Sequence, residues 1–222
     1  MPRDPQASLN DLIRGVRKFQ RDVYPGKQEL FKTLAKGQSP KILFITCSDS
    51  RIDPSLITQS DPGSLFLIHN AGNIVPPHGT PYGGTGASIE YAVSVLEVEH
   101  IIVCGHSACG AMTALCERHQ GDGIPIIRQW ISYADATRAI LDTVAHGADE
   151  AQRLERCIEI NVAVQMHHLE TIPSVAARMA AKTLALHGWV YHIESGEIDV
   201  YDPLTEGFKS FEQAYQGQTS IV

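Results

Sequence analysis

The sequence predicts an α/β fold: a mostly parallel central β-sheet flanked by helices, with an N-terminal helical arm and a C-terminal strand hairpin. Three observations carry that expectation. Short apolar, β-branched runs (KILFITC, LFLIH, HIIVC) read as strands buried on both faces. The segments between them return apolar residues at three- and four-residue spacing, the pattern of helices with one buried stripe. Strand, loop and helix then alternate, and that order builds parallel sheets through crossover helices.

From the amino end, Leu9, Leu12, Ile13, Val16 and Phe19 recur at helical spacing behind Ser8, which stands where a cap is expected. A second short helix carries Leu30, Phe31 and Leu34, and Gly37 stops it. Residues 1–36 are thus the helical arm of one domain spanning 1–222. Residues 41–47 form the first strand. Asp53-Pro54 reads as a cap followed by a first-turn proline, opening a helix to Gln59. Residues 65–69 form the second strand and 70–82 a loop ending at Tyr82. Helical spacing holds from 85 to 98, and residues 100–104 make a third strand that runs into the glycine-bounded turn 105–110 and another helix. Helical patterns cover 126–144 and 151–172. Strands over 184–193 and 198–201 flank the turn Glu194-Ser195-Gly196-Glu197 and complete the hairpin. Ligands of such sheets bind outside the carboxyl ends of the strands, so the chemistry is expected to follow Cys47, His69 and Cys104.

Composition narrows the function. With 43% hydrophobic and 19% charged residues the chain can build a core, which excludes a disordered or collagen-like class. Eighteen basic against 25 acidic residues give a net charge of −7 and no general attraction to phosphate backbones, so nucleic acid is not an expected partner. No apolar run approaches bilayer length, and the start MPRDPQASLN lacks the layout of a secretion signal; a cytoplasmic protein without a membrane partner is expected. Five cysteines are an odd count in a chain too long to need disulfide staples, so reduced thiols are expected.

Two strand ends are chemically loaded. The first runs into Cys47-Ser48-Asp49-Ser50-Arg51 and the third into Gly105-His106-Ser107-Ala108-Cys109-Gly110. Two thiols and an imidazole suit Zn²⁺, and three protein ligands leave a fourth tetrahedral position open. The spacing alone is a weak metal signal, since structural sites show close cysteine pairs, and packed structural cysteines are the ordinary alternative. Cys104, Cys116 and Cys157 take that reading because they lie in apolar patterns without a chelating neighbour. Two rival motifs fail at the same turn. Residues 105–110 have phosphate-loop glycine spacing, but Ala111-Met112 stands where Lys and Ser or Thr should follow. Gly105-His106-Ser107 starts like a hydrolase nucleophile elbow, yet Cys109 replaces its second glycine. His167, His168, His187 and His192 lack a third ligand and read as solvated or core residues.

Cys47-x-Asp49-x-Arg51 followed by His106-x-x-Cys109 resembles the zinc-binding signature of the β-class carbonic anhydrases. Residues 37–40 (GQSP), 70–73 (NAGN), 84–91 and 184–191 (LALHGWVY) resemble, in order, segments of that family's plant-type and cyanobacterial branch, whereas 1–36 resemble its arm only loosely. The resemblance implies one Zn²⁺ per subunit held by Cys47, His106 and Cys109, and reversible hydration of CO₂ to bicarbonate and a proton through a zinc-bound hydroxide. It implies that Asp49 accepts the hydrogen bond of that hydroxide while Arg51 grips the carboxylate, and that Asp49, if released, would swing onto the metal and close the site. Gln38 would bind a substrate oxygen, and Phe66, Ala71 and Tyr91 would line a small apolar pocket, some of them contributed by a partner subunit.

The same resemblance implies a homodimer or a higher multiple of dimers, and leaves open a place inside a carboxysome. Two departures stand out: His69 replaces an arginine common in relatives, and Phe44 a tryptophan of the branch regulated by bicarbonate. Both predict a site that bicarbonate does not shut and that works near neutral pH. No histidine presents itself as proton shuttle. Three other functions stay open at this level: hydrolysis of carbonyl sulfide or carbon disulfide on the same zinc site, a zinc-stabilised scaffold that recruits partners, and a metal-free thiol hydrolase using Cys47 or Cys109.

Overall fold

The computed structural model describes residues 5–81, 83–117 and 123–217, so Tyr82 at the end of the expected loop lies outside the described residues. Its first helix, α1 (Pro5–Lys18), begins ahead of Ser8, which therefore sits inside the helix and does not cap it. Proline explains the early start, because its fixed φ suits a first turn that has no use for its missing N–H. A wide π-helical turn, Phe19–Val23, and a tight 3₁₀ turn, Tyr24–Lys27, lead into α2 (Gln28–Leu34). Phe31 packs its ring on Tyr24 at 5.3 Å and edge-on to Phe19 at 6.0 Å, which fixes the bend between the helices. Leu9, Leu12 and Val16 stay exposed. These residues form one compact unit, Met1–Gln38; Ser39–Val222 form the other.

The second unit opens with β1 (Ile42–Cys47) and α3 (Pro54–Thr58), the latter capped as expected: Asp53 Oδ1 accepts from Ser55 N–H at 3.0 Å and Leu56 N–H at 3.2 Å. β2 (Leu65–Asn70) precedes α4 (Gly83–Ser94), which ends before the expected Val98 because Glu97 adopts φ 55° and the Leu96 and Val98 N–H groups close back on Tyr91 and Ala92. β3 (His100–His106) runs two residues further than its apolar run, since β4 offers backbone partners up to the pair His106↔Tyr191. His106 is therefore a strand residue and not part of the turn.

Next come α5 (Gly110–Cys116), α6 (Pro125–Ile131) and α7 (Asp135–Val144), the last two dividing at Ser132–Ala134 what the sequence presents as one helix. α8 (Glu150–Thr171) starts with a capping box between Asp149 and Gln152. α9 (Pro173–Ala180) is a helix the sequence reading did not anticipate; Pro173 both stops α8 and opens it. β4 (Ala185–Tyr191) and β5 (Ile198–Asp202) make the expected hairpin, and a sixth strand, β6 (Gly207–Ser210), extends it before α10 (Phe211–Ala214). Four residues, GFKS, carry too little alternation to announce a strand.

The sheet order is β2-β1-β3-β4-β5-β6, parallel through β4 and antiparallel beyond it. Alternation along the strands splits the core. Leu43, Ile45, Ile101, Val103 and Val190 join a large cluster with residues of α4 to α9, whereas Phe44, Ile102, Cys104, Trp189 and Val200 form a small one. Helical cover on both faces, as expected, is thus uneven within this unit: on the second face it comes from the C-terminal segment, where Phe211 meets Trp189 at 5.7 Å. α8 lies very close to the sheet. A Cβ at Gly105 would come within 2.9 Å of Val162, and one at Gly188 within 2.6 Å of Met166 and 2.8 Å of Val162. Both glycines are needed for that approach.

Candidate metal centre

The parallel register brings three chain segments to one edge. Cys47 ends β1 opposite Asn70 at the end of β2, and Thr46 pairs with Cys104 two residues before His106 ends β3. Ala108, at φ 54°, then turns the chain so that Cys109 stands at the amino end of α5. The two sulfurs lie 4.0 Å apart, and the ligand atoms of Cys47, His106 and Cys109 are all within 4.8 Å of one another. All three side chains are buried.

Their hydrogen bonding is that of a ligand set. His106 Nδ1 lies 2.9 Å from the Ser107 carbonyl, which can only accept, so the ring proton sits on Nδ1 and Nε2 presents a lone pair. Nε2 is buried without any hydrogen-bond partner. The Gly72 N–H donates to Cys47 Sγ at 3.3 Å. The neighbouring Cys109 thiol, with this N–H, pulls Cys47 down to about 4, while Cys109 itself is pushed up, because two adjacent thiols resist sharing a second negative charge. A cation between them removes that resistance. Two sulfurs about 2.3 Å from one tetrahedral ion would stand about 3.8 Å apart, close to the spacing found. Donor chemistry, spacing and the bare Nε2 together fit a metal site.

Beside it, Arg51 holds Asp49 in a two-pronged grip: Nε donates to Oδ1 at 2.9 Å and Nη2 to Oδ2 at 2.7 Å, and the Arg51 N–H adds a bond to Oδ1 at 3.0 Å. The guanidinium keeps the Asp49 carboxyl well below the usual carboxylate range. Arg51 Nη2 also donates to the Ala108 carbonyl at 3.1 Å, so one side chain ties both ligand-bearing loops together. Asp49 Oδ2 lies 3.9 Å from His106 Nε2, next to the cluster and outside it.

Of the other residues singled out in the sequence, Ala71 is drawn to the site, one residue before Gly72, with its carbonyl accepting from Trp130 Nε1 at 2.8 Å. Phe66 and Tyr91 face each other with ring centroids 6.0 Å apart. Phe66 pairs with Leu43, however, four rungs short of the Cys47↔Asn70 pair, or about 13 Å along the strand. Gln38 is exposed at the end of the first unit. His69 donates from Nδ1 to the Cys47 carbonyl at 3.2 Å, and Phe44 is fully buried against Trp189. The four histidines set aside in the sequence have partners of their own: His167 meets Glu170 at 3.3 Å, His168 bonds the Val75 carbonyl, His187 meets His100 at 3.1 Å, and His192 meets Asp199 at 2.8 Å. Sequence reasoning missed Gly72, Ala108, Trp130, Asn161 and Gln165. A signal existed for the last two, amide side chains one helical turn apart within an apolar pattern.

Fold and donor set together define an α/β protein with a Cys-His-Cys cluster that fits a metal ion at the carboxyl edge of its parallel sheet. A family model described as carbonic anhydrase matches residues 42–198. The chain is 50% identical over 202 residues to a carbonic anhydrase of Pseudomonas aeruginosa, a match covering 91% of each. Among solved structures it resembles the β-carbonic anhydrase CcaA with a TM-score of 0.90 and 42% identity over 91% of this chain and 99% of that one. It also resembles a tetrameric β-carbonic anhydrase of Sordaria macrospora with a TM-score of 0.70 and 33% identity over 88% and 94%. The chain belongs to the carbonic anhydrase family, in its β class. No helix among the described residues is long and apolar enough to cross a membrane.

Proposed function

We propose that this chain catalyses the reversible hydration of CO₂ to bicarbonate and a proton, with one Zn²⁺ per subunit held by Cys47, His106 and Cys109. The observation that carries the reading is the bare, buried Nε2 of His106 facing two sulfurs 4.0 Å apart beside an arginine-gripped aspartate. Bound there, Zn²⁺ supplies the Lewis acidity that turns water into a nucleophile at neutral pH.

The chain's own residues do the rest. Asp49, ionised across the working pH range, accepts the proton-bearing edge of the attacking water and orients its lone pair. Arg51 occupies both carboxylate oxygens, which keeps Asp49 off the sulfur side of the site. Phe44 and His69 support activity near neutral pH without closure by bicarbonate: one is an apolar residue packed in the core and the other is engaged with a backbone carbonyl. Ala71, beside the cluster, remains a proposed lining residue of the substrate pocket, and Gln38 a proposed contact to a substrate oxygen, on this chain or from a partner subunit. The distance of Phe66 and Tyr91 from the cluster supports their serving the pocket of a neighbouring subunit in a dimer or a multiple of dimers, located in the cytoplasm.

The test is a zinc determination and a stopped-flow CO₂ hydration assay on one reduced preparation, run beside carbonyl sulfide and carbon disulfide. One zinc per chain with fast CO₂ turnover at neutral pH is expected. Negligible CO₂ hydration by zinc-loaded protein, or activity confined to strongly alkaline pH, would overturn the reading.

A further inference from the structure

We propose that Asn161 and Gln165 of α8 are positioning residues for the metal centre: they anchor the backbone from the Gly72 carbonyl to Val75, while Trp130 holds the Ala71 carbonyl of the peptide that carries the Gly72 N–H, so that this N–H stays on Cys47 Sγ. The inference rests on the metal reading above and concerns how one ligand sulfur is tuned.

Inside the Gly72 turn the Asn70 side chain clasps Ile74, accepting from its N–H at 2.8 Å and donating to its carbonyl at 2.9 Å, and this leaves the Gly72 carbonyl to a partner outside the turn. Gly72 (φ 79°) and Asn73 (φ 48°) are consecutive left-handed residues, a conformation that needs outside support. α8 supplies it. Asn161 Nδ2 donates to the Gly72 carbonyl at 3.0 Å, and Gln165 Oε1 accepts from the Val75 N–H at 2.8 Å. The two amides also bond each other: Gln165 Nε2 donates to Asn161 Oδ1 at 2.9 Å, and the Thr137 hydroxyl donates to the same oxygen at 3.3 Å. With two donors on Oδ1, the Asn161 amide has one orientation, and its N–H must face Gly72. Asn161, Gln165 and Thr137 are all essentially fully buried. Buried carboxamides are costly unless every bond is made, and here each is spent on the loop or on its neighbour.

What the clamp secures is electrostatic. Two thiolates cancel the formal charge of a divalent ion, which weakens its pull on a bound ligand. An N–H donated to one sulfur withdraws charge from it and restores part of that pull. Cys47 is thus tuned by a helix far along the chain that touches none of the three ligands through these side chains.

Cobalt(II)-loaded protein reads the sulfur directly through its thiolate-to-metal charge-transfer band. Asn161→Asp keeps an oxygen for Thr137 and Gln165 but has no N–H for Gly72; Gln165→Glu keeps the acceptor for Val75 and loses the bond to Asn161. Both are expected to move the band to longer wavelength, as the sulfur becomes more electron-rich, and to lower zinc retention against a chelator about 10- to 100-fold. A role in packing alone would lower retention without moving the band. An unmoved band in either folded variant overturns the proposal, and Gln165→Glu decides it should Asn161→Asp fail to fold. Wild-type protein without any thiolate-to-cobalt band would overturn the metal reading and this inference together.

Discussion

Cys104 sits on β3 opposite Thr46 of β1, one residue from Cys47 on the neighbouring strand, and both thiols are buried. Cys104 lies among Phe44, Ile102 and Trp189 and is pushed up to about 12 by burial. Cys47, at the strand end, receives the Gly72 N–H, faces a second thiol and an imidazole, and is pulled down to about 4. Residue type and burial are the same in the two places. The difference is the supply of hydrogen-bond donors where strands end and loops begin, which is why the same side chain is suited to hold a metal ion in one place and serves as packing in the other.

Substitutions break that comparison in order of effect. Cys47→Ser or Cys109→Ser should lose metal and CO₂ hydration together, down to background, whereas Cys104→Ala should keep full metal content and cost about 1 kcal/mol of stability. Elemental analysis and denaturation of the three proteins check this, and metal loss in the Cys104 variant would end the distinction between them. Asp49→Ala should retain zinc while turnover falls about 10- to 100-fold, so a metal determination beside kcat separates the residue that orients from the residues that bind. Gly72→Ala sharpens the comparison from the donor's side. Its φ of 79° disfavours a side chain, and the new Cβ would lie 3.0 Å from Ala111 Cβ and Met112 Cε. A loss of about 1–3 kcal/mol by chemical denaturation, with weakened metal retention, is expected.

The smallest effect is in pH. Asp49 titrates lower in the folded chain than in the unfolded one, so its pairing with Arg51 stabilises the protein above about pH 4 and that contribution fades only as acid titrates the lowered carboxyl. Stability curves of wild type and Arg51→Gln should differ near neutrality and converge in strong acid.

Much of this was legible in the chain. The apolar runs of β1, β2 and β3 placed the strand ends, and Cys47, Asp49, Arg51, His106 and Cys109 stood where those ends had to converge. Boundaries went astray where a neighbour decided them: β3 lengthened because β4 offers partners as far as Tyr191, and α4 shortened because Glu97 turns left-handed. The Gly72 turn and its support on α8 were hidden for a different reason. Asn161 meets the Gly72 carbonyl only through the tertiary fold, 89 residues away in sequence, and no local pattern encodes that. Register sets Phe66, with Tyr91 packed on it, four rungs from this chain's own cluster, a separation that pairing reveals and composition does not.

The bare backbone at Gly105 and Gly188 brings α8 almost into van der Waals contact with the strands. One methyl group added at Gly188 would act as a wedge, lifting the helix and with it the amides that reach the Gly72 turn. A substitution in the middle of the sheet, remote from every ligand, would then be felt as a change in how strongly one sulfur gives its electrons.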